Sequence, residues 1–166
     1  MFALSRAALV AAIALTLASC STGSPSDDAS SLTITDTWAK AADDGMTAAF
    51  ASVHNNADRD ITITGASSPA AMAVELHEVV DDEMRQVDGG FTVPAGETLM
   101  LEPGGLHLMF MGISQPIAAG DEVTVTLTLS DGTHVEFTAV AKDFAGANED
   151  YDGGMEMESS SPEPSQ

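Results

Sequence analysis

Between about residues 32 and 140 the chain runs as short stretches in which apolar and polar side chains alternate, divided by turn residues. The clearest is Val123-Thr-Val-Thr-Leu-Thr-Leu129. A period of two puts successive side chains on opposite faces of an extended backbone, so each stretch predicts a strand with one face buried. The same texture predicts strands over Leu32 to Trp38, Thr47 to Val53, Ile61 to Ala66, Val74 to Val80, Thr98 to Leu101, Leu106 to Phe110 and Val135 to Val140. Ser130-Asp-Gly-Thr133, lying between two alternating runs, is a hairpin signal. Gly and Pro recur at PAGE, EPGG and ISQP, and no segment carries a sustained helical stripe. The expectation is an all-β, antiparallel sandwich or barrel over 32–145, of a length that suits one core, with Trp38 as the core anchor of its first strand.

The ends read differently. Arg6, an apolar run from Ala7 to Ala18 and then Leu17-Ala18-Ser19-Cys20 form a signal peptide over 1–19 with a lipobox, in which Cys20 receives lipid and becomes the first mature residue. The apolar run is too short to span a hydrocarbon layer of about 30 Å. STGSPSDDASS, from Ser21 to Ser31, has no apolar periodicity, so residues 20–31 are expected to be a flexible tether. The stretch 146–166, ending MEMESSSPEPSQ, is expected to be a disordered acidic tail. These features predict an extracytoplasmic protein anchored by lipid to the outer face of the cell membrane. Cys20 is the sole cysteine, so no disulfide forms within the chain and no thiolate is left for a metal.

The chain holds 26 acidic and 5 basic residues, for a formal charge of -21. That sign excludes nucleic acid as a partner, because duplex binding depends on basic side chains displacing phosphate counterions. It also excludes a basic membrane patch, leaving the acyl chains as the membrane link. There is no phosphate loop, no nucleophile elbow and no nucleophile set beside a base, so an enzyme is not expected.

The donors that remain are four His and nine Met, one of the latter the initiator. Thioether sulfur is soft and favours Cu(I) over Mg²⁺ or Ca²⁺, and imidazole serves copper in either oxidation state. In Gly104-Gly-Leu-His107-Leu-Met109-Phe-Met111, strand geometry puts His107, Met109 and Met111 on one face. In Glu75-Leu-His77-Glu-Val-Val-Asp-Asp-Glu-Met84-Arg85, folding back at Asp81-Asp82 would bring Met84 toward His77. His54 and His134 read as surface residues, and Met46, opening a strand near a Gly, as core or rim packing ahead of packing beside the site. Met155 and Met157 form an MxM pair in the tail, where capture of an ion competes with simple solvation.

From about Thr33 to Asp152 the chain resembles the PCu(A)C family of exported copper chaperones. The resemblance rests on Gly45 to Phe50 (GMTAAF), Ala66 to Ala71 (ASSPAA), His77-Glu78 with Met84-Arg85, and Val93 to Gly112, which follows VPAGxxxxLxPGGxHxMxMG. KDFAGANEDYDGG from Lys142 resembles the actinobacterial branch. The resemblance implies a cupredoxin-like β-sandwich or barrel with a surface Cu(I) site made by His77, Met84, His107 and Met109. One departure is the loop between the first His and its Met, here six residues where many members have about ten, with Val79 standing where a second Met is common; Met111 is the alternative to Met84 as fourth ligand. The implied role is a monomeric metallochaperone delivering copper to the dinuclear centre of a cytochrome oxidase subunit or to an assembly factor. Competing readings are a copper scavenger or store, a structural secreted β-domain, and electron transfer, which would need a Cys thiolate beside two His.

Overall fold

The alternation read from the sequence becomes a burial pattern: over Glu122–Leu129, Val123, Val125, Leu127 and Leu129 are buried while Thr124, Thr126 and Thr128 are half-buried on the other face. The structure, a computed structural model, describes residues 27–146 and the backbone of 150–151. A single helical turn, α1 (Asp28–Ser31), leads into β1 (Leu32–Lys40), β2 (Thr47–Asn55), β3 (Ile61–Ser67), β4 (Ala71–Val80), β5 (Glu83–Gln86), β6 (Phe91–Val93), β7 (Thr98–Leu101), β8 (His107–Ile113), β9 (Glu122–Leu129), β10 (His134–Lys142) and β11 (Asp150–Tyr151).

Seven strands close into a barrel in the order β4, β8, β2, β1, β10, β9, β3, the ring shutting where Ala66 of β3 meets Val74 of β4. Closure removes the open edges that a flat sheet would present. The all-β, cupredoxin-like expectation therefore holds. The barrel is not purely antiparallel: β1 and β10 run parallel, with Trp38 opposite Val140 and Ala39 opposite Ala141. These strands lie at opposite ends of the domain, so their pairing is long-range, unlike the hairpin joining β9 to β10. The main core fills the barrel with Val53, Ile61, Ile63, Leu108, Phe110, Val125 and Leu127, all essentially without solvent exposure.

Two expectations change. Trp38 does not anchor this core. Asp36 takes a left-handed backbone (φ 53°), and the β1–β2 register shifts between Thr35 and Trp38. The irregularity inverts the alternation, so Ala39 points inward and Trp38 lies on the outer face against Phe50, ring centroids 4.4 Å apart. The folded unit also begins within the stretch expected as tether. Asp27 caps α1 by accepting from Ser30 N–H, and Asp28 is buried, ion-paired with Arg59 and donating its N–H to the Asp131 carboxylate. Leu32, the expected boundary, continues an already docked segment. β11 likewise falls within the expected tail, where its backbone runs parallel to β5. Cys20, the signal stretch, Met155 and Met157 lie outside the described residues.

Candidate metal site

The site grows from one register. Antiparallel β4 and β8 pair with His77 directly opposite His107, Glu75 opposite Met109, Leu76 opposite Leu108 and Ala73 opposite Met111. The apolar residues decide it: Val74, Leu76, Leu108 and Phe110 all face the barrel interior, and a slip of one residue would turn them outward. The intervening positions, His77, His107, Glu75 and Met109, therefore share the outer face. The two imidazole rings stand with centroids 5.7 Å apart at 61°.

The hairpin brings the next donor. Asp81 and Asp82 both hold left-handed backbone (φ 55° and 65°), the signature of a tight type I′ turn, and β5 returns along β4 with Met84 opposite Val79. Val79 is two residues beyond His77, so Met84 emerges on the same face as both imidazoles. Across β8 the neighbour is β2, with Ala48 opposite Met109. Ala48, Phe50, Met84 and Met109 make a second buried cluster, separate from the main core, against which Trp38 and Met111 pack. Ala48 is small, which leaves room for the thioether across from it.

Both histidines are buried, His77 at 0% exposure and His107 at 3%. Their hydrogen bonds assign tautomers. Nε2 of His77 lies 2.9 Å from a carboxylate oxygen of Glu75, and Nδ1 of His107 lies 3.0 Å from the Gly105 carbonyl. A carboxylate and a carbonyl accept, so each of these nitrogens donates. In a neutral ring the lone pair then sits on Nδ1 of His77 and Nε2 of His107, both buried atoms. An imidazole held from one side by a carboxylate or a backbone carbonyl is the arrangement in which histidine ligates metals.

A cleft of about 70 Å³ opens beside this cluster, lined by His107, Met84, Met109, Phe50, Lys40 and Met46 among others. Among the described residues no three His, Cys, Asp or Glu side chains stand close enough to share an ion. His107, Met84 and Met109 line this cleft, and His77 stands behind them through its ring contact with His107; imidazole and thioether favour a soft monovalent cation over a hard divalent one. Of the residues singled out from sequence, His107, Met84 and Met109 share the cleft, and His77 touches His107 on the same face. Met111 sits one face position beyond Met109, opposite Ala73 and half-buried. His54 bonds to Thr98 and exposed His134 to Thr128, in keeping with surface roles. Glu75 was not singled out, although its spacing of two from His77 on a strand was the available signal. Trp38 and Phe50 were missed as site neighbours, since only the β1 irregularity turns the indole outward.

Comparison with known proteins agrees with this architecture. The solution structure of Cu(I)-bound DR1885 from Deinococcus radiodurans is 30% identical, with a TM-score of 0.56, over 71% of this chain and 84% of that one. A copper-bound PCuAC domain from PmoF2 shares the fold at 21% identity, with a TM-score of 0.60, over 69% of this chain and 94% of that one. "Putative lipoprotein Lxx21020" from Leifsonia xyli subsp. xyli (strain CTCB07) is 42% identical over 158 residues, covering 89% of this chain and 95% of its own length. The model of the family described as "Putative lipoprotein LpqE-like" matches residues 32–141, which takes in the strands of the barrel save the last residue of β10. This chain therefore belongs to the LpqE-like family.

Proposed function

We propose that this protein is an extracytoplasmic Cu(I) carrier, held to the outer face of the cell membrane by lipid on Cys20. Its cargo would be bound by Nδ1 of His77, Nε2 of His107 and the thioethers of Met84 and Met109, and handed to a membrane acceptor, the dinuclear copper centre of a cytochrome oxidase subunit. One observation carries the reading: two buried imidazoles meet edge-on with centroids 5.7 Å apart, each held at one nitrogen by a carboxylate or carbonyl, and His107 shares a cleft with Met84 and Met109. The copper-bound forms of DR1885 and the PmoF2 domain support it.

The chemistry suits a carrier. Neutral imidazole and thioether stabilise Cu(I), and neither can be consumed by disulfide formation in an oxidising compartment, although thioethers can become sulfoxides. One chain supplies all four donors, so a monomer is sufficient. A blue-copper electron-transfer site needs a Cys thiolate, and the sequence contains Cys20 alone. Because the cleft opens at the barrel surface, ligands can be exchanged one at a time with an incoming acceptor.

The test is anaerobic Cu(I) titration of the mature chain against a competing chelator, with His107→Ala and Met109→Ala measured alongside. One ion per chain is expected, with affinity lowered about tenfold or more in each variant. Parent-like affinity in both variants would reject the site. Tight binding without copper loading of an apo-oxidase subunit would reject delivery in favour of storage.

A further inference from the structure

We infer that Met46 is a further thioether donor of this site, an exposed arm at the mouth of the cleft through which Cu(I) enters and leaves by ligand exchange. The inference rests on the copper-carrier reading above and names a residue which that reading does not use.

Met46 lines the same cleft as His107, Met84 and Met109. Its exposure is 43%, against 5% for Met84 and 7% for Met109. Its side chain stands at the rim of the cleft, half in water and outside both buried clusters. Among the described residues the exposed methionines are Met46, Met72 and Met100, and of these Met46 is the one on the cleft. Its backbone is fixed on both sides. Gly45, at φ 72°, accepts the Ile113 N–H through its carbonyl at 2.9 Å. Thr47 pairs with Phe110 in β2–β8, and its hydroxyl donates to the Lys40 carbonyl at 2.6 Å. The result is a flexible three-bond side chain on an anchored base.

That combination has a use in metal transfer. Buried donors hold an ion but cannot follow it out, so a route from bulk to site needs a donor that reaches both. A thioether is neutral and binds a soft ion weakly when alone, so it can take the ion from one donor and yield it to the next without trapping it. Met46 occupies this position: inside the cleft at one end of its sweep, in water at the other.

The experiment uses the mature chain with ¹³C-labelled methionine methyls and Ag(I), a soft monovalent ion without Cu(I)'s redox chemistry, followed by stopped-flow transfer of Cu(I) to bathocuproine disulfonate. The ε-methyl signals of Met46, Met84 and Met109 are expected to move together at one equivalent of Ag(I). Met46→Leu is expected to bind Cu(I) about threefold more weakly, since one exposed donor is lost, and to give up copper about tenfold more slowly, a barrier change of about 1.4 kcal/mol. Met100→Leu should match the parent. A Met46 methyl that stays in place, or a Met46→Leu transfer rate equal to the parent's, overturns the inference and leaves the carrier reading standing. If the Met84 and Met109 methyls are also unmoved, both fall.

Discussion

Replacing Glu75 with alanine removes the acceptor that fixes the His77 ring. The His77 side chain is fully buried and its Nε2–H points at a carboxylate oxygen 2.9 Å away. Without that acceptor, the ring can rotate or take the other tautomer, which moves the lone pair off Nδ1. Losing such a hydrogen-bond partner behind a metal-ligating histidine weakens metal binding about 10–100-fold, or about 1.4–2.7 kcal/mol. The Glu75 side chain is 27% exposed, so water can reach its place and the charge itself is partly screened. The expected loss for Glu75→Ala is therefore nearer the lower end. Glu75→Gln, whose amide oxygen still accepts, should lose less. A stranded buried N–H also costs about 1–3 kcal/mol in the metal-free protein, so Glu75→Ala should melt earlier than Glu75→Gln. Chelator competition at neutral pH gives the affinities, and imidazole ¹⁵N spectra give the tautomer of His77. A folded Glu75→Ala that binds Cu(I) within about twofold of the parent, with the His77 tautomer unchanged, would refute the reasoning, since the carboxylate would then not be orienting the ligand.

Met84→Leu keeps the volume of the outer cluster and deletes the sulfur, so stability should change by less than about 1.5 kcal/mol while Cu(I) affinity drops about tenfold or more. Met111→Leu should leave affinity near the parent; the opposite pattern in the same titration would move the fourth donor to Met111. Gly90→Ala should destabilise the fold by about 1–2 kcal/mol in urea unfolding, because Gly90 holds φ 77° and an added Cβ would run into the Ile63 carbonyl of a core strand. The Asp131 carboxyl is held below the usual carboxylate range, first by the Thr133 hydroxyl and then by the Asp28 N–H. A depressed folded value means its contribution is complete above the ordinary carboxylate pKa and is lost as pH falls through the folded one. The Asp28 amide, which donates to Asp131, should therefore lose protection relative to its intrinsic exchange rate below about pH 4, and Asp131→Asn should remove that dependence.

Much of this protein was readable before folding. Period-two alternation is a local consequence of strand geometry, so eight strands and the Ser130–Thr133 hairpin followed from spacing and turn chemistry. The placement of His107, Met109 and Met111 on one face followed equally, because it needs only the strand's own periodicity. The short β5 continues a turn already visible at Asp81-Asp82, and the donor chemistry of imidazole and thioether is a property of the side chains alone.

What the tertiary structure decided is everything that depends on register between distant strands. His77 and His107 lie thirty positions apart, and they meet because Val74, Leu76, Leu108 and Phe110 must all point into one barrel. No local window contains that constraint. The outward turn of Trp38 hangs on an irregularity at Asp36 that pairing with β2 reveals, and the parallel contact of β1 with β10 joins the two ends of the domain. The docking of residues 27–31 depends on Arg59 and Asp131, which only the closed barrel brings to them. Composition and periodicity set which groups could bind and which face each would take. Burial of a shared core, a global requirement, set which of those groups stand together.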